Sequence, residues 1–301
     1  MVKVFAPAKI NLTLHITGQR DDGYHEIDSL VTFASVGDAL WLVEAGINSL
    51  TVEGPEAAGV PADINNLAMK AAQFAGAGRK AAITLTKHLP ASSGIGGGSA
   101  DAAAAWRGML TLGPEGEAQA DTQFAMPEIL YETQARALVA LGADVPMCVI
   151  SRPLRARGIG EKVTLVDLPQ VACVLVNPRV PVSTPPVFKA LQTKDNPPMP
   201  KDLPTFADAS ALIDWLAGQR NDLQDPALSI APVISAVLAR LAECPGAGLA
   251  RMSGSGATCF ALFAEINDAK AAAQAIRDDH PDWWVAGCIL GDMFQKSLPV
   301  V

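Results

Sequence analysis

A chain of 301 residues, half of them hydrophobic and 18% charged, has a globular composition with room for two ordinary domains, which excludes a disordered chain. The net charge of −8 argues against general affinity for nucleic acid or an anionic membrane, since both need basic surface, while a few local donors still suffice for one nucleotide. No run reaches the ~18 apolar residues of a membrane span, and the start, Met1-Val2-Lys3-Val4-Phe5, lacks the apolar core of a signal peptide. The five cysteines (Cys148, Cys173, Cys244, Cys259, Cys288) are scattered without CxxC spacing, so buried, reduced thiols in a soluble cytoplasmic protein are expected.

The first strand signal is Asn11-Leu12-Thr13-Leu14-His15-Ile16, whose alternation points Leu12, Leu14 and Ile16 at the core. Lys9 and Asn11 share the other parity and should project together. A turn follows over Gly18–Gly23, where two glycines and two aspartates favour tight backbone. Ala81 to Leu85 reads as a strand. After the glycine-rich run that follows it, the alanine-rich segment from Ser99 to Trp106 should be helical with Ser99 as its N-cap. A second alanine-rich helix is expected from about 127 to 141, stopping at Gly142. Strands return around 161–177, and the four prolines of 193–204 mark a surface loop. Beyond it come a helix over 230–243, a strand over 258–264, a helix over 268–279 and a last strand over 285–290. Helices and strands mix without strict βαβ order, which predicts an α+β fold, divided near residue 160 into units 1–160 and 161–301.

The strongest local signal is Pro90-Ala91-Ser92-Ser93-Gly94-Ile95-Gly96-Gly97-Gly98-Ser99-Ala100. Glycines let backbone N–H groups approach a ligand closely, and a helix opening directly afterwards adds free N–H groups and a positive dipole end. Together these suit a polyphosphate; a plain tight turn is the simpler alternative. A Walker A loop would need Lys after its last glycine. A dinucleotide fingerprint would place Ser99 where its third glycine belongs.

Two further motifs accompany this loop: Ala6-Pro7-Ala8-Lys9-Ile10-Asn11-Leu12 before it and Ser253-Gly254-Ser255-Gly256-Ala257-Thr258 after it. In content and order the three resemble the motifs of the GHMP kinases, and they span nearly the whole chain. Gly18-Gln19-Arg20-x2-Gly23-Tyr24-His25 and Leu141-Gly142-Ala143-Asp144-Val145-Pro146 are similar to segments of one GHMP branch. That branch phosphorylates the 2-hydroxyl of a cytidine diphosphate-linked methylerythritol with ATP, a step of the non-mevalonate isoprenoid pathway.

The resemblance implies a two-domain fold, with an N-terminal domain like ribosomal protein S5 domain 2 and a ferredoxin-like C-terminal domain. It places the ATP phosphates on Pro90–Ala100, with Asn66 and Lys87 on the adenosine side. It makes Lys9 and Asp144 catalytic, and it puts Asn11, Tyr24, His25, Thr184 and Phe188 on the substrate side. The chemistry of these residue types agrees. An aspartate can accept a hydroxyl proton, an ammonium can stabilise the transferring phosphoryl group, and an aromatic ring and an imidazole can stack on and hydrogen-bond a base. A helix-capping Asp144, a surface Lys9 and packing roles for Tyr24 and His25 are the plainer alternatives. The expected partners are small molecules, with neither nucleic acid nor membrane, and nothing in the pattern sets an oligomeric state. Four scattered histidines argue against a dedicated metal cage, so Mg²⁺ should arrive with ATP. Where relatives often carry Ser-Ser, this chain has Ser99-Ala100. Asp101 is an acid in the first helical turn that the dipole alone would explain. Other GHMP kinases, for homoserine or mevalonate, are the nearest alternative, followed by a catalytically dead nucleotide sensor on the same fold, and then by a nicotinamide-dependent dehydrogenase.

Overall fold

The computed structural model describes residues 1–112 and 138–301. Among these, one mixed sheet of eleven strands organises the molecule. Its strands are β1 (Val2–Asn11), β2 (His15–Gln19), β3 (His25–Glu44), β4 (Ser49–Glu53), β5 (Ala81–Thr86), β6 (Leu154–Gly158), β7 (Lys162–Leu165), β8 (Val171–Asn177), β9 (Ala247–Met252), β10 (Cys259–Phe263) and β11 (Trp284–Gly291). The main path runs β4-β5-β3-β11-β8-β10-β9. The 20-residue β3 is its hub and also pairs antiparallel with β1, β2 and β6. Its middle, from Asp28 to Ala34, is buried continuously. That explains why Leu30 to Ala34 form an apolar and β-branched run rather than an alternation.

The helices are α1 (Leu67–Ala75), α2 (Gly97–Thr111), α3 (Val145–Ile150), α4 (Thr184–Lys189), α5 (Ala209–Ala217), α6 (Gln224–Ile230), α7 (Val233–Ala242), α8 (Ile266–Asp279) and α9 (Phe294–Ser297). One apolar cluster sets α1, α2 and α3 on β1, β3 and β5, with Trp106, Leu40, Leu42 and Leu85 at its centre. Ala102 to Ala105 are all buried there, so α2 is covered all round and small side chains admit close neighbours. A second cluster packs α7 and α8 on β8 and β10. A third joins Ile10, Leu12, Leu89 and Ile95 to Phe260 and Leu262.

Most expected elements are present with shifted ends, and several readings need correction. Leu12, Leu14 and Ile16 are buried as the alternation predicts, but so are Thr13 and His15. The 193–204 segment is a loop, yet it covers this second face. Met199 is buried, and Arg155 pairs with Asp28 while donating to the carbonyls of Met199, Pro200 and Lys201. The helix expected over 230–243 is interrupted around Pro232, which precedes α7 and lacks the N–H that a continuous helix needs. Ser99 is not the N-cap of α2: the helix starts at Gly97, two residues earlier, after Gly96 in the left-handed region. The turn expected over Gly18–Gly23 is narrower, because β2 runs on to Gln19. The helix expected over 127–141 lies mostly outside the described residues; 138–141 is helical, and Gly142 follows it.

Candidate active site

Three loops far apart in sequence meet at the inner end of β1. The Lys9 N–H donates to Ile95 O at 2.9 Å, and the Thr258 N–H donates to Ser93 O at 3.1 Å. The Ser253 hydroxyl accepts from the Asn11 N–H at 3.1 Å and donates to Gly94 O at 3.3 Å. Backbone presses on backbone at this junction. Gly94 has a φ of +76°, and a Cβ there would lie 2.6 Å from Gly256 O and 2.7 Å from Ser253 O, so only glycine fits.

Lys9 is buried at 4% exposure, and its ammonium is bracketed by two acceptors. It donates to Asn11 Oδ1 at 2.8 Å and pairs with Asp144 Oδ2 at 3.1 Å. Asn11 is fixed in turn, its Nδ2 donating to Ser29 Oγ at 2.8 Å. The expectation that Lys9 and Asn11 project together is therefore met. Asp144 occupies the N-cap position of α3, but its side chain makes no capping bond. That side chain is 37% exposed. A carboxylate held by one ammonium and open to an incoming hydroxyl is placed for proton acceptance.

Beside this pair the glycine loop feeds α2. Gly96, at φ +64°, offers no side chain to the first-turn N–H groups, which stay available to an anion. Beneath the loop lies a buried cluster that the sequence did not announce. Lys87 Nζ donates to Asp38 Oδ2 and to Asp101 Oδ2, the latter at 2.8 Å. Asp38 Oδ1 also accepts from the His88 and Leu89 N–H groups. Burial alone would lower the Lys87 pKa, but Asp101 and Asp38 reverse that and raise it. Burial, reinforced by Asp38, pushes the Asp101 carboxyl up to about 8 against the pull of Lys87. Asp101 Oδ1 has no hydrogen-bond partner. Lys87 thus reaches the floor of the loop, 3.6 Å from where a Cβ on Gly97 would sit, with its charge already paired. Asn66 is the N-cap of α1, accepting from the Ala68 N–H and donating to Pro61 O, so both ends of its amide are engaged.

On the opposite side, His25 opens β3 and lies against Phe188 of α4, ring centroids 4.9 Å apart. His25 Nε2 is buried without a partner among the described residues, and burial first, then Lys194, holds its pKa below the ordinary value. Tyr24 is 60% exposed beside it. The Thr184 hydroxyl lies 2.8 Å from Ser255 Oγ in the third motif. The two groups of expected substrate residues, Asn11 beside Lys9 and the Tyr24–His25–Phe188 set, flank the same loop junction. Ser253, Ser255 and Ser29 escape sequence reasoning because a lone serine carries no spacing signal, although the first two lie within the third motif.

The chain matches the GHMP kinases N terminal domain over residues 66–152 and the GHMP kinases C terminal domain over 199–282. It is 49% identical over 301 residues to the 4-diphosphocytidyl-2-C-methyl-D-erythritol kinase of Roseobacter denitrificans, covering 99% of this chain and 97% of that one. The enzyme of the same name from Dinoroseobacter shibae is 54% identical over 287 residues, covering 95% and 94%. A crystal structure of 4-(cytidine 5'-diphospho)-2C-methyl-D-erythritol kinase superposes with a TM-score of 0.72 at 32% identity, over 96% of this chain and 99% of that one. A homoserine kinase from Cytophaga hutchinsonii shares the fold at 18% identity, with a TM-score of 0.64. With both family domains matched in order and relatives near half identity over almost their full length, the chain belongs to the GHMP kinases, in the branch of the 4-diphosphocytidyl-2-C-methyl-D-erythritol kinases.

Proposed function

We propose that this kinase transfers the γ-phosphoryl group of ATP to the 2-hydroxyl of 4-diphosphocytidyl-2-C-methyl-D-erythritol, giving the 2-phosphate and ADP. The observation that carries the reading is the Lys9–Asp144 pair, set between a glycine loop with free helix N–H groups and an aromatic pair suited to a base. Asp144 accepts the hydroxyl proton as the oxygen attacks, and Lys9 stabilises the charge that develops. Asn11 holds the ammonium in place. The loop from Pro90 to Ala100 cradles the phosphates, with Asn66 and Lys87 on the adenosine side. His25, Tyr24 and Phe188 hold the cytosine, and Thr184 holds the diphosphate end.

Among the described residues no three His, Cys, Asp or Glu side chains gather into a cage. That suits Mg²⁺ bound chiefly by phosphate oxygens and water, where it supplies neutralising charge. Ser99 is the hydroxyl nearest that role. Ala100 is 1% exposed and packed into the core, so this chain has no second hydroxyl to offer there. A division near residue 160 is supported by the two family matches falling on either side of it. No helix among the described residues is long and apolar enough to cross a membrane, and the five cysteines are unpaired, which supports a reducing cytoplasmic setting.

The direct test is ADP release by purified protein with MgATP and, in turn, the cytidine-linked polyol, homoserine and mevalonate. Turnover with homoserine or mevalonate alone would refute the substrate assignment. Tyr24→Ala and His25→Ala should each weaken the polyol by ~1–3 kcal/mol in calorimetric titration, the typical worth of one base contact, while ATP affinity stays close to the parent's. Loss of ATP binding with the polyol unaffected would reverse the two pockets.

The lowered pKa of His25 adds a pH prediction. A depressed imidazole stays neutral in the fold at pH 7 and gains its proton only below ~6.5. Polyol affinity should therefore fall on acidification below that value, and His25's contribution to stability should fall over the same range, because the unfolded chain takes the proton first. Titrations between pH 8 and 5 on the parent and on His25→Gln check this. The same acid limb in the glutamine variant would assign the titration elsewhere.

A further inference from the structure

Arg107, on α2, is buried at 1% exposure and has no acidic partner among its hydrogen bonds. Its Nη2 donates to Cys148 O at 2.7 Å, Val149 O at 3.0 Å and Ser151 Oγ at 2.9 Å, while Nε and Nη1 have no partner among the described residues. Burial pulls its pKa down to about 10. A guanidinium satisfied this poorly works against stability, and an uncharged side chain of similar volume would fill the space without that penalty.

Its acceptors indicate what the residue does. Cys148 and Val149 lie in the last turn of α3, and Ser151 is the C-cap, left-handed at φ +50°, with its own hydroxyl donating to Cys148 O at 2.7 Å. One cation thus gathers the free carbonyls at the negative end of a six-residue helix. Asp144 stands at the opposite end of that helix. The helix from which Arg107 reaches begins at Gly97, in the glycine loop. The side chain therefore ties the element that carries the base to the element that faces the phosphates. Apolar contacts of α3, through Val145, Met147 and Ile150, are non-directional; the directional bonds on its carboxyl end are those of Arg107 and the Met293 N–H donating to Ser151 O at 2.9 Å.

We propose that Arg107 is a positioning residue for phosphoryl transfer: by gripping the carboxyl end of α3 from α2, it fixes Asp144 relative to the phosphate-binding loop. The proposal rests on the assignment of Asp144 as the base. Arg107→Met and Arg107→Lys, each made in the parent and in Asp144→Asn, test it by steady-state kinetics and thermal melting.

Arg107→Met should fold and keep both KM values while kcat falls by about 10- to 100-fold, the effect of a misplacement near 1 Å. Arg107→Lys, which returns a donor to the carbonyls, should recover part of the loss. In the Asp144→Asn background the methionine should cost little more, since residues acting through one group are not additive. A merely structural role would lower the melting temperature and leave kcat per folded molecule unchanged. That result, or an undiminished loss in the Asp144→Asn background, overturns the proposal. Should Arg107→Met not fold, Ser151→Ala removes one of the three acceptors, and an unchanged kcat there is equally decisive. Failure of the base assignment would show separately, as near-normal turnover in Asp144→Asn alone.

Discussion

Asp144→Asn is expected to lower turnover by about 10²- to 10⁴-fold, the usual contribution of a general base, while ATP and the polyol still bind. The substitution keeps the shape of the side chain and removes both its charge and its proton acceptor. The structure favours a large effect because Asp144 makes no capping bond whose loss would confuse the result. Among the described residues it forms an ion pair with Lys9, at 3.1 Å. Lys9→Ala should also slow the chemical step, and at greater structural cost, since it leaves Asn11 Oδ1 without its donor. If the pair works as a unit, the double variant is little worse than either single one. Single-turnover measurements with saturating substrates separate chemistry from product release. Losses that multiply would assign Lys9 to the phosphate and Asp144 to the hydroxyl. Near-normal turnover in Asp144→Asn would leave positioning as the source of the rate, which the loose transition state of this chemistry allows.

The second large effect belongs to the glycine loop, where neighbouring glycines should differ. Gly96→Val is expected to abolish nucleotide binding. Its φ of +64° is hostile to a β-branched residue, and strain of this kind costs ~1–3 kcal/mol. The new Cβ would also lie 3.1 Å from Lys9 Cβ and 3.2 Å from Lys9 Cε, displacing the Lys9 ammonium. Gly97 stands at the first helical position, where a Cβ meets only ordinary contacts, 3.6 Å from Lys87 Nζ and 3.7 Å from Leu89 Cβ. Gly97→Val should therefore keep the fold and act only by crowding the phosphates. Gly94 is different again, since its Cβ would strike the backbone of the third motif and undo the junction itself. Calorimetric titration with ATP, alongside melting curves, separates the three. Normal ATP affinity in a folded Gly96→Val protein would take the loop out of the site.

The sequence carried the local chemistry well and the long-range assembly poorly. The glycine loop, the ammonium with its amide neighbour and the three ordered motifs were legible because each depends on residue types at short, fixed spacing. The strand at 81 and the last strand and helix were visible through periodicity alone. Lys87, Asp38 and Asp101 were not legible as a cluster: they come from three elements that only the sheet and α2 bring together. The N-cap of α2 was misplaced because Ser99 has the right side chain, yet the left-handed Gly96 turns the chain into helix before it. Thr13 and His15 alternate with the core residues, and nothing local announces that Met199 and its loop will cover that second face.

The placing of β11 has a consequence for synthesis on the ribosome. This strand joins β3 to β8, pairing Leu290 with Ala34, and Lys3 bridges to Val300 close by. The two halves of the sheet are thus sewn together by a strand that is translated long after both of its partners, Leu290 pairing with Ala34 on one side and with Val171 on the other. Until that strand leaves the exit tunnel, both β3 and β8 present an open edge in the emerging polypeptide. Such edges recruit other strands, so nascent chains of this kinase should depend on holding factors until β11 has emerged.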